Sequence, residues 1–370
     1  MRVRLVEEWT EIRDRAGEWN ALLDGTRPED PFLTFEWYES LRDAFGQGGS
    51  TPTLFAEDSA GLVAVWPLHV ERVRLGKVIP CRQLFDSGGW FVPHNGLICR
   101  GDPDACVLEM LRYVHARLPG WDVFVVANLI DGGATHGALR RACEELHLSI
   151  ETAAGKRSPY LSLHGDWETC LKERSGNFRS ALRRSEKTLH AMGTVSVEFL
   201  RSPDDVTRGL ADVLAIERQS WKHPAGSAIT SRPWEQAFYE AYLPRAAQRG
   251  IAELAIMRLD GRPIAYYMGI IYGNRYSLLK VSYAGDARAG APGKVICRHV
   301  VQSHFERGLQ EHDFLGADER WKREWTPAFR PHVNLTIYRR GGYAMMLRAI
   351  RQLRSRRWNT ATQTPSAEAP

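Results

Sequence analysis

Residues 278–294 read LLKVSYAGDARAGAPGK, and this stretch says most about the fold. Its apolar start continues a predicted strand, Arg275–Tyr283, and the small residues that follow predict a tight loop. Pro292 and Gly293 open a predicted helix that runs to Arg307, because proline lacks the N–H that a first helical turn leaves unpaired. The stretch therefore predicts a strand, a short loop and a helix in direct succession.

The loop and the helix start form a first candidate site. Backbone N–H groups are free at such a point, and the helix dipole favours negative charge there. Arg288 and Lys294 add positive side chains, so the arrangement suits a pyrophosphate such as that of coenzyme A. An ordinary loop with a helix cap is the alternative interpretation. The candidate cofactor-binding residues are Tyr283, Arg288, Pro292, Gly293 and Lys294.

Residues 312–325, HDFLGADERWKREW, form a second candidate site. A short predicted strand at the start of this stretch delivers Asp318, Glu319 and Lys322 to one loop. Amide formation needs a group that takes a proton from the attacking amine, and it needs positive charge at the developing oxyanion. Asp318 or Glu319 would serve the first need and Lys322 the second, so these three are the candidate catalytic residues. A surface cluster of salt bridges is the alternative.

A third candidate site lies in residues 177–187, NFRSALRRSEK. Arg179 and Arg183 are four residues apart, so they share a face of the predicted helix. Two guanidinium groups on one face suit a phosphate or a carboxylate. The alternative is a solvated basic face that pairs with Glu173 and Glu186.

The length and the order of the predicted elements indicate two domains, since a domain typically holds about 100–200 residues. Each half contains a strand, an acidic turn with glycine and a second strand, as in TLFAEDSAGLVA (53–64) and ELAIMRLDGRPIA (253–265). The predicted fold class is α/β (α+β), with each domain a mixed, mostly antiparallel sheet flanked by helices. The predicted boundaries are 1–157 and 158–341 for the domains, 342–358 for a terminal helix and 359–370 for a disordered tail.

The composition is that of a globular protein, with 44% hydrophobic and 25% charged residues. The net charge is +5, and seven arginines between Arg339 and Arg357 account for the excess, so the remainder of the chain is close to neutral. No apolar run approaches the roughly 18–20 residues of a membrane helix. Six cysteines without a CxxC pair predict reduced thiols and a cytoplasmic protein, and no metal site is expected.

The arginine-rich end predicts an amphipathic helix. Its apolar stripe would comprise Tyr343, Met346, Leu347, Ile350 and Leu353. In one interpretation the stripe docks on the second domain and the arginines stay solvated. In the other, the helix binds weakly to an anionic surface, such as lipid headgroups at the inner face of the membrane, an acidic carrier protein or nucleic acid.

Several segments resemble the GNAT-fold acetyltransferases of the CelD-like, cellulose-biosynthesis type, which are related to the Fem peptidyltransferases. The similar segments, in chain order, are PFLTFEW (31–37), PYL (159–161), NFRSALRR (177–184), ERQSW (217–221), APG (291–293), DFL (313–315) and WK (321–322). The resemblance covers nearly the whole chain and implies tandem GNAT-like domains. It also implies that Lys322 lies at the reaction centre. Trp37 and Trp221 lie in the similar segments, and they join Arg179 and Arg183 as candidate substrate-binding residues.

The same resemblance implies acyl transfer from acetyl-CoA or another acyl-CoA in the second domain. The pantetheine arm would enter a gap between the strand that ends at Tyr283 and the strand at His312–Leu315. The first domain is expected to be non-catalytic and to shape the acceptor cleft. The predicted function is therefore an N-acyltransferase that acts on the amine of a small anionic acceptor, such as a nucleotide sugar, in an envelope or polysaccharide pathway.

Two alternatives remain. The Fem branch of the family implies transfer from aminoacyl-tRNA, which would need a broad basic surface, and the near-neutral body of the chain offers little of one. A non-catalytic binding module is the other alternative. It is favoured by Trp321, which stands where the family has tyrosine. A second departure is Ala317, which stands where the family has glycine, next to Gly316.

Overall fold

The computed structural model describes residues 1–25, 30–45, 51–75, 78–86, 89–220 and 222–361. The β-strands are β1 (Arg2–Val6), β2 (Thr53–Asp58), β3 (Gly61–Leu75), β4 (Ile79–Asp86), β5 (Ile98–Cys99), β6 (Val123–Ile130), β7 (Ser149–Ser162), β8 (Val195–Leu200), β9 (Ala252–Leu259), β10 (Arg262–Tyr272), β11 (Arg275–Tyr283), β12 (Glu311–Asp313) and β13 (Phe329–Tyr338). The α-helices are α1 (Trp9–Asp14), α2 (Ala16–Asp24), α3 (Phe35–Phe45), α4 (Pro103–Arg117), α5 (Ala134–Glu145), α6 (Trp167–Glu173), α7 (Gly176–Met192), α8 (Pro203–Gln219), α9 (Pro233–Gln248), α10 (Pro292–Glu306), α11 (Arg320–Arg323) and α12 (Gly342–Ala361).

The chain forms two compact units, and neither is continuous in sequence. The first unit comprises the described residues within Met1–Arg15, Ser50–Ala154 and Val333–Pro370. The second comprises those within Ala16–Gly49 and Gly155–His332. The boundaries at 154/155 and 332/333 fall inside β7 and β13, so both strands contribute residues to each unit.

In the first unit the strand order is β1-β2-β3-β4-β6, followed by the parts of β13 and β7 that belong to it. Strands β4 and β6 pair in parallel, whereas β1–β2, β2–β3 and β3–β4 pair antiparallel. Helices α4 and α5 pack on this sheet over a buried core that includes Trp66, Trp121 and Phe124. Asp102 caps α4 by accepting a hydrogen bond from the Asp104 N–H, which satisfies one of the donors that a helix start leaves unpaired.

In the second unit the strand order is β12-β11-β10-β9-β8, and the last residues of β7 pair antiparallel with β12. Strand β11 pairs in parallel with β12 and antiparallel with β10. Each unit is thus a mixed, mostly antiparallel sheet with helices, and the predicted fold class is confirmed.

Helices α2 and α3 belong to the second unit, although the sequence analysis placed them in the N-terminal domain. The cause is aromatic packing between α3 and α9. The Trp37 ring lies 4.8 Å from the rings of both Phe238 and Tyr242, measured between centroids. Such long-range packing leaves no local trace in the sequence, so contiguous boundaries at 157/158 do not describe the two compact units.

Helix α12 buries only part of the predicted stripe, and it packs on the first unit rather than on the second domain. Ala344 and Leu347 are buried against Cys81, Val123 and Tyr338 of the first unit. Tyr343, Met346 and Leu353 from the predicted stripe are exposed, together with Met345. None of the helices in the described ranges is both long and apolar enough to cross a membrane.

Gly269 in β10 is required by a close approach of the next strand. Opposite Met268 and Gly269 the register of β11 shifts by one residue, which places a bulge at Leu279. A Cβ atom on Gly269 would lie 2.4 Å from the Ser277 carbonyl oxygen and 2.3 Å from Cζ of Tyr276. Because the first of these atoms is backbone, an alanine forces the bulged strand to move.

We expect Gly269→Ala to lower the free energy of unfolding by about 1–3 kcal/mol, the usual cost of overpacking. The matched control is Gly17→Ala in α2, where a Cβ meets nothing within 4 Å. That substitution removes a helical glycine and is expected to be neutral or stabilising. Urea denaturation of the three proteins measures both effects. A Gly269→Ala protein as stable as the parent would show that the bulge tolerates a side chain.

Candidate active site

A gap opens between β11 and β12. The two strands pair over only three positions, Arg275 with Glu311, Tyr276 with His312 and Ser277 with Asp313. Strand β12 then ends, while β11 continues to Tyr283. The bulge at Leu279 bends β11 just where the pairing stops, since bulges bend a strand and increase its local twist. The end of β11 is therefore an edge beside open space.

A cavity of about 520 Å³ lies at this edge. Four parts of the second unit surround it: Lys222 after α8, the end of β11, the start of α10 and the segment around α11. Its lining residues are Lys222, Val281, Ser282, Tyr283, Arg288, Ala291, Gly293, Lys294, Glu319, Trp321 and Trp325. The first two candidate sites of the sequence analysis thus meet at one cavity.

The start of α10 is built to bring backbone close to the cavity. Residues Gly285–Gly290 form a 3₁₀ turn, and Ala291 follows in the left-handed conformation with φ 43° and ψ 55°. Pro292 occupies the first turn of the helix, where its missing N–H costs nothing. A Cβ on Gly293 would lie 3.2 Å from Cδ1 of Tyr283. The glycine therefore lets the first helical turn, with the N–H of Gly293, approach the aromatic wall, whereas the N–H of Lys294 donates to the Ala291 carbonyl at 3.0 Å.

The two basic residues at this helix start differ in their surroundings. Lys294 donates to Oε2 of Glu324 at 2.9 Å, and its ammonium lies 5.2 Å from the centre of the Phe178 ring. Arg288 is exposed on the cavity wall, and no ion pair joins it to another residue in the described part of the chain. Arg288 is thus the cation with the most freedom to bind an anion in the cavity.

Lys322 holds the loop that follows β12. Its side chain is only about 5% exposed. The ammonium donates to the carbonyl oxygens of Leu315 at 2.8 Å and Ala317 at 3.2 Å, and it lies 3.1 Å from Oε2 of Glu319. These three acceptors occupy its three donors, and Lys322 is absent from the described cavity wall. The predicted role as a direct oxyanion donor does not fit this geometry; the position indicates a residue that shapes the loop.

The two acidic candidates are separated by the same loop. Glu319 lines the cavity and accepts a hydrogen bond from the Trp321 indole N–H at 2.9 Å. Asp318 instead forms an ion pair with Arg323 at 3.2 Å and lies outside the described lining. Of the two, only Glu319 is placed to accept a proton in the cavity. The indole of Trp321 also lines the cavity.

Lys222 is a cavity residue that sequence reasoning missed. Its ammonium donates to the Val281 carbonyl oxygen at 2.5 Å. Burial lowers its pKa and the nearby Lys280 lowers it further, while Glu217, Glu319 and Glu235 act in the opposite direction. A lone lysine after α8 carries no motif, so only its position beside the cavity identifies it.

The predicted substrate-binding residues are not gathered in one place. Trp37 is about 2% exposed and packs in the core of the second unit, so it has a structural role. Arg179 is partly buried and Arg183 exposed on α7, and neither is among the described cavity residues. Their neighbour Phe178 lies 5.0 Å from Trp325, a cavity residue, measured between ring centroids. Trp221 lies outside the described residues.

A buried series of hydrogen bonds holds His312 of β12 in place. The Tyr267 hydroxyl oxygen lies 2.8 Å from Nε2 of His312, and Nδ1 of His312 lies 3.0 Å from Nδ1 of His304. His304 Nε2 is 2.7 Å from Oε1 of Glu253. With both imidazoles neutral, each ring has one donor and one acceptor, and the series is satisfied from the tyrosine to the carboxylate. Arg201 and Arg307 pair with the other Glu253 oxygen.

The first unit has a comparable parallel pair, but its gap is filled by the chain itself. Strands β4 and β6 pair over three positions, from Gln83–Val123 to Phe85–Val125. Beyond them, the Asn95 N–H donates to the Asn128 carbonyl at 3.1 Å, and Nδ2 of Asn128 donates to the Val92 carbonyl at 2.9 Å. Residues 92–95 thus lie beside β6 in the position that corresponds to the open gap of the second unit.

Comparisons with known proteins agree with this geometry. The family described as "Acetyltransferase (GNAT) domain" matches residues 176–323, a range that contains β11, the start of α10 and Lys322. No curated protein matches the chain by sequence. The residues that match the GNAT acetyltransferase domain lie in the second unit, and the match supports an acyltransferase.

Solved structures show a similar fold over nearly the whole chain. The crystal structure of FemX has a TM-score of 0.62 at 11% identity, with 92% of this chain and 98% of FemX covered. The C-terminal domain (DUF2156) of an Agrobacterium fabrum protein described as a lysylphosphatidylglycerol synthetase has a TM-score of 0.55 at 11% identity, over 90% and 94%. L-PGS from Bacillus licheniformis has a TM-score of 0.51 at 12% identity, over 88% and 97%. At these identities the likeness concerns the fold alone.

We expect Lys322→Met to lower both turnover and thermal stability, because it leaves the Leu315 and Ala317 carbonyls without their buried donor. The matched control is Lys172→Met on α6, whose side chain is exposed. Differential scanning fluorimetry and a thiol-release assay measure the two effects. If turnover is lost while the melting temperature stays at the parent value, Lys322 acts in the chemistry and the positioning role is wrong.

We also expect the second unit to lose stability in mild acid. Burial lowers the pKa of both His304 and His312, so both are neutral when folded, whereas the unfolded chain protonates them near pH 6.5. The unfolded state therefore binds more protons as the pH falls below 6.5, and each histidine removes up to about 1.4 kcal/mol of stability per pH unit.

Urea denaturation at pH 7.5 and pH 5.5 measures this loss. His304→Gln should flatten the pH dependence, whereas His164→Gln, a change at an exposed histidine, should not. A parent protein equally stable at both pH values would contradict the neutral buried pair.

Proposed function

We propose that the protein is an acyl-CoA-dependent N-acyltransferase, of the CelD-like type that its sequence resembles, and that its acceptor is the amine of a small anionic molecule. The observation that carries the proposal is the cavity where the free edge of β11 meets the glycine-containing start of α10. An edge strand offers unpaired backbone groups to an extended ligand. A helix start offers N–H groups and a positive dipole to a phosphate.

The donor would lie along this cavity. The exposed Arg288 and the first turn of α10 would bind the pyrophosphate, and Gly293 would leave room for it. The pantetheine arm would follow the edge of β11 between Tyr283 and Trp325, both of which line the cavity. The thioester would then lie near Lys222 and Glu319 on the cavity wall.

These two side chains supply complementary chemistry. Glu319 would accept the proton from the acceptor amine as its nitrogen forms the amide bond. The Lys222 ammonium would stabilise the negative charge on the thioester oxygen until the carbon–sulfur bond breaks and the thiolate leaves, which then takes up the proton that Glu319 accepted. The Val281 carbonyl, which accepts from Lys222 at 2.5 Å, would hold the lysine in place.

The acceptor would be recognised outside the described cavity wall. Arg179 and Arg183 on α7 are the candidates, since they are close in sequence to Phe178, which packs on Trp325. Two guanidinium groups on one face suit a phosphate or carboxylate on the acceptor. A polysaccharide precursor in the cytoplasm would have this chemistry. The exposed Met345, Met346 and Leu353 of α12, among arginines, support a weak association with the inner face of the membrane.

A second candidate function is transfer from an aminoacyl-tRNA to an amine or a lipid. The likeness in fold to FemX and to lysylphosphatidylglycerol synthetases favours it. The net charge of the body weighs against it, because tRNA binding needs many phosphate contacts.

Titration calorimetry with acetyl-CoA tests the proposed donor. We expect Gly293→Asp to weaken binding at least tenfold, because it places a negative charge at the helix start. The matched control is Gly17→Asp, which adds the same charge to the first turn of α2. Equal affinities for all three proteins would place the donor elsewhere. Failure of the parent to bind acetyl-CoA, together with turnover of aminoacyl-tRNA, would establish the second candidate.

Steady-state kinetics test the proposed chemistry. We expect Lys222→Met to lower kcat by about 10²–10³-fold through the loss of oxyanion stabilisation, with little change in acetyl-CoA affinity. Lys222→Arg should recover part of the rate, because it keeps the charge. If Lys222→Met retains the parent kcat, another group stabilises the oxyanion.

A further inference from the structure

A second cavity, in the first unit, contains a concentration of positive charge that the proposed reaction does not use. Its volume is about 580 Å³. The residues that line it are Arg72, Val73, Arg74, Pro80, Cys81, Arg82, Asp122 and Tyr343. We call this cavity the arginine notch.

The register of the sheet explains how the notch forms. Strand β4 pairs with β6 only from Gln83 onward. Pro80 and Cys81 therefore project past the start of β6 and pair in the sheet with β3, while the Arg82 carbonyl accepts from the Asp122 N–H at 2.8 Å. Tyr343 of α12 closes the end of the notch, and its hydroxyl donates to the Pro80 carbonyl.

Arg72 and Arg82 are direct partners in the antiparallel register of β3 and β4, and Arg74 follows two residues along on the same face. Like charges placed opposite each other on neighbouring strands destabilise a sheet. One acid lines the notch, Asp122, and it is engaged by Arg82, whose backbone N–H and guanidinium both donate to it, at 2.8 and 3.2 Å. No ion pair compensates Arg72 or Arg74 within the described ranges.

Further arginines lie close to the residues that line the notch. Burial raises the pKa of the Cys81 thiol to about 11, and Asp122 acts in the same direction. Arg351 of α12 and Arg82 act in the opposite direction, so Arg351 lies close enough to the notch to influence this thiol. The backbone N–H of Arg339 donates to the Asp122 carbonyl at 3.1 Å, which places a further arginine next to that acid in the chain fold. A sheet that keeps uncompensated arginines around a cavity has the composition of an anion site.

We propose that the arginine notch binds a phosphate-bearing anion. The guanidinium groups of Arg72 and Arg74 offer paired N–H donors that match the oxygens of a phosphate, and the ligand supplies the negative charge that these two arginines lack. This site goes beyond the proposed acyl transfer, since it lies wholly in the first unit and shares no residue with the cavity of the second.

Two sources could present this chemistry, a soluble phosphate ester and the headgroup of an anionic lipid. Two exposed apolar side chains lie close in sequence to lining residues: Val78, two residues before Pro80, is 74% exposed, and Met346, three residues after Tyr343, is 42% exposed. The site binds the phosphate group in either case, so the experiment needs one arm for each source.

The first arm is titration calorimetry of the full chain with glycerol phosphate at low ionic strength. We expect the parent to bind and the double variant Arg72→Gln/Arg74→Gln to bind at least tenfold more weakly. The charge-matched control is Arg208→Gln/Arg262→Gln, two arginines exposed in the second unit. It should bind like the parent.

The second arm is co-sedimentation with vesicles of phosphatidylglycerol in phosphatidylcholine, against phosphatidylcholine alone. Loss of binding in the Arg72/Arg74 variant, but not in the control, supports the notch with lipid as its source. The same loss in the glycerol phosphate arm alone supports it with a soluble ester as its source. If the variant binds both probes as the parent does, or if the parent binds neither, the proposal is overturned.

A stability readout distinguishes a ligand site from a structural one. Because the substitutions remove like-charge repulsion, we expect the variant to melt at the parent temperature or slightly above it. Acetyl-CoA binding in the second unit should be unchanged, so a failure here is separate from a failure of the proposed function. A lower melting temperature in the variant would mean that the arginines stabilise the fold, and it would contradict the proposal.

Discussion

The candidate site depends on how the chain leaves β12. Asp313 accepts the Leu315 N–H at 2.8 Å, and Leu315 and Gly316 then adopt positive φ angles of 49° and 63°. Lys322 of α11 donates to the Leu315 and Ala317 carbonyls, and these hydrogen bonds stabilise the turn. These contacts direct the chain away from β11. Without them β12 could continue along β11 and close the edge that the cavity requires.

The two units use the same parallel pair of strands in different ways. In the second unit the bulge at Leu279 and the turn after Asp313 separate the strands, and the space between them is a cavity. In the first unit residues 92–95 lie beside β6 and satisfy its backbone. The difference supports the proposal that the donor binds in the second unit. The first unit keeps its own charged cavity elsewhere, at the start of β6.

Much of the fold and part of the site could be predicted from the sequence because the signals are local. Apolar runs and turn residues identify the strands, and Pro292 with Gly293 identifies the start of α10 in the place where the structure has it. The missed features are those that depend on distant contacts. The burial of Trp37 against α9 moves two helices into the second unit, and no pattern near Trp37 indicates it. Lysine is a residue type that catalytic sites use, so the sequence suggests a catalytic role for Lys322. The backbone carbonyls that its ammonium contacts are visible only in the fold.

Hydrogen–deuterium exchange with and without coenzyme A tests most directly whether the gap between β11 and β12 is the donor site. The account predicts slower exchange in peptides that cover residues 281–295, at the end of β11 and the start of α10, and no change in peptides that cover residues 89–95 of the first unit. Protection confined to the first unit, or no protection at residues 281–295 under saturating coenzyme A, would contradict it.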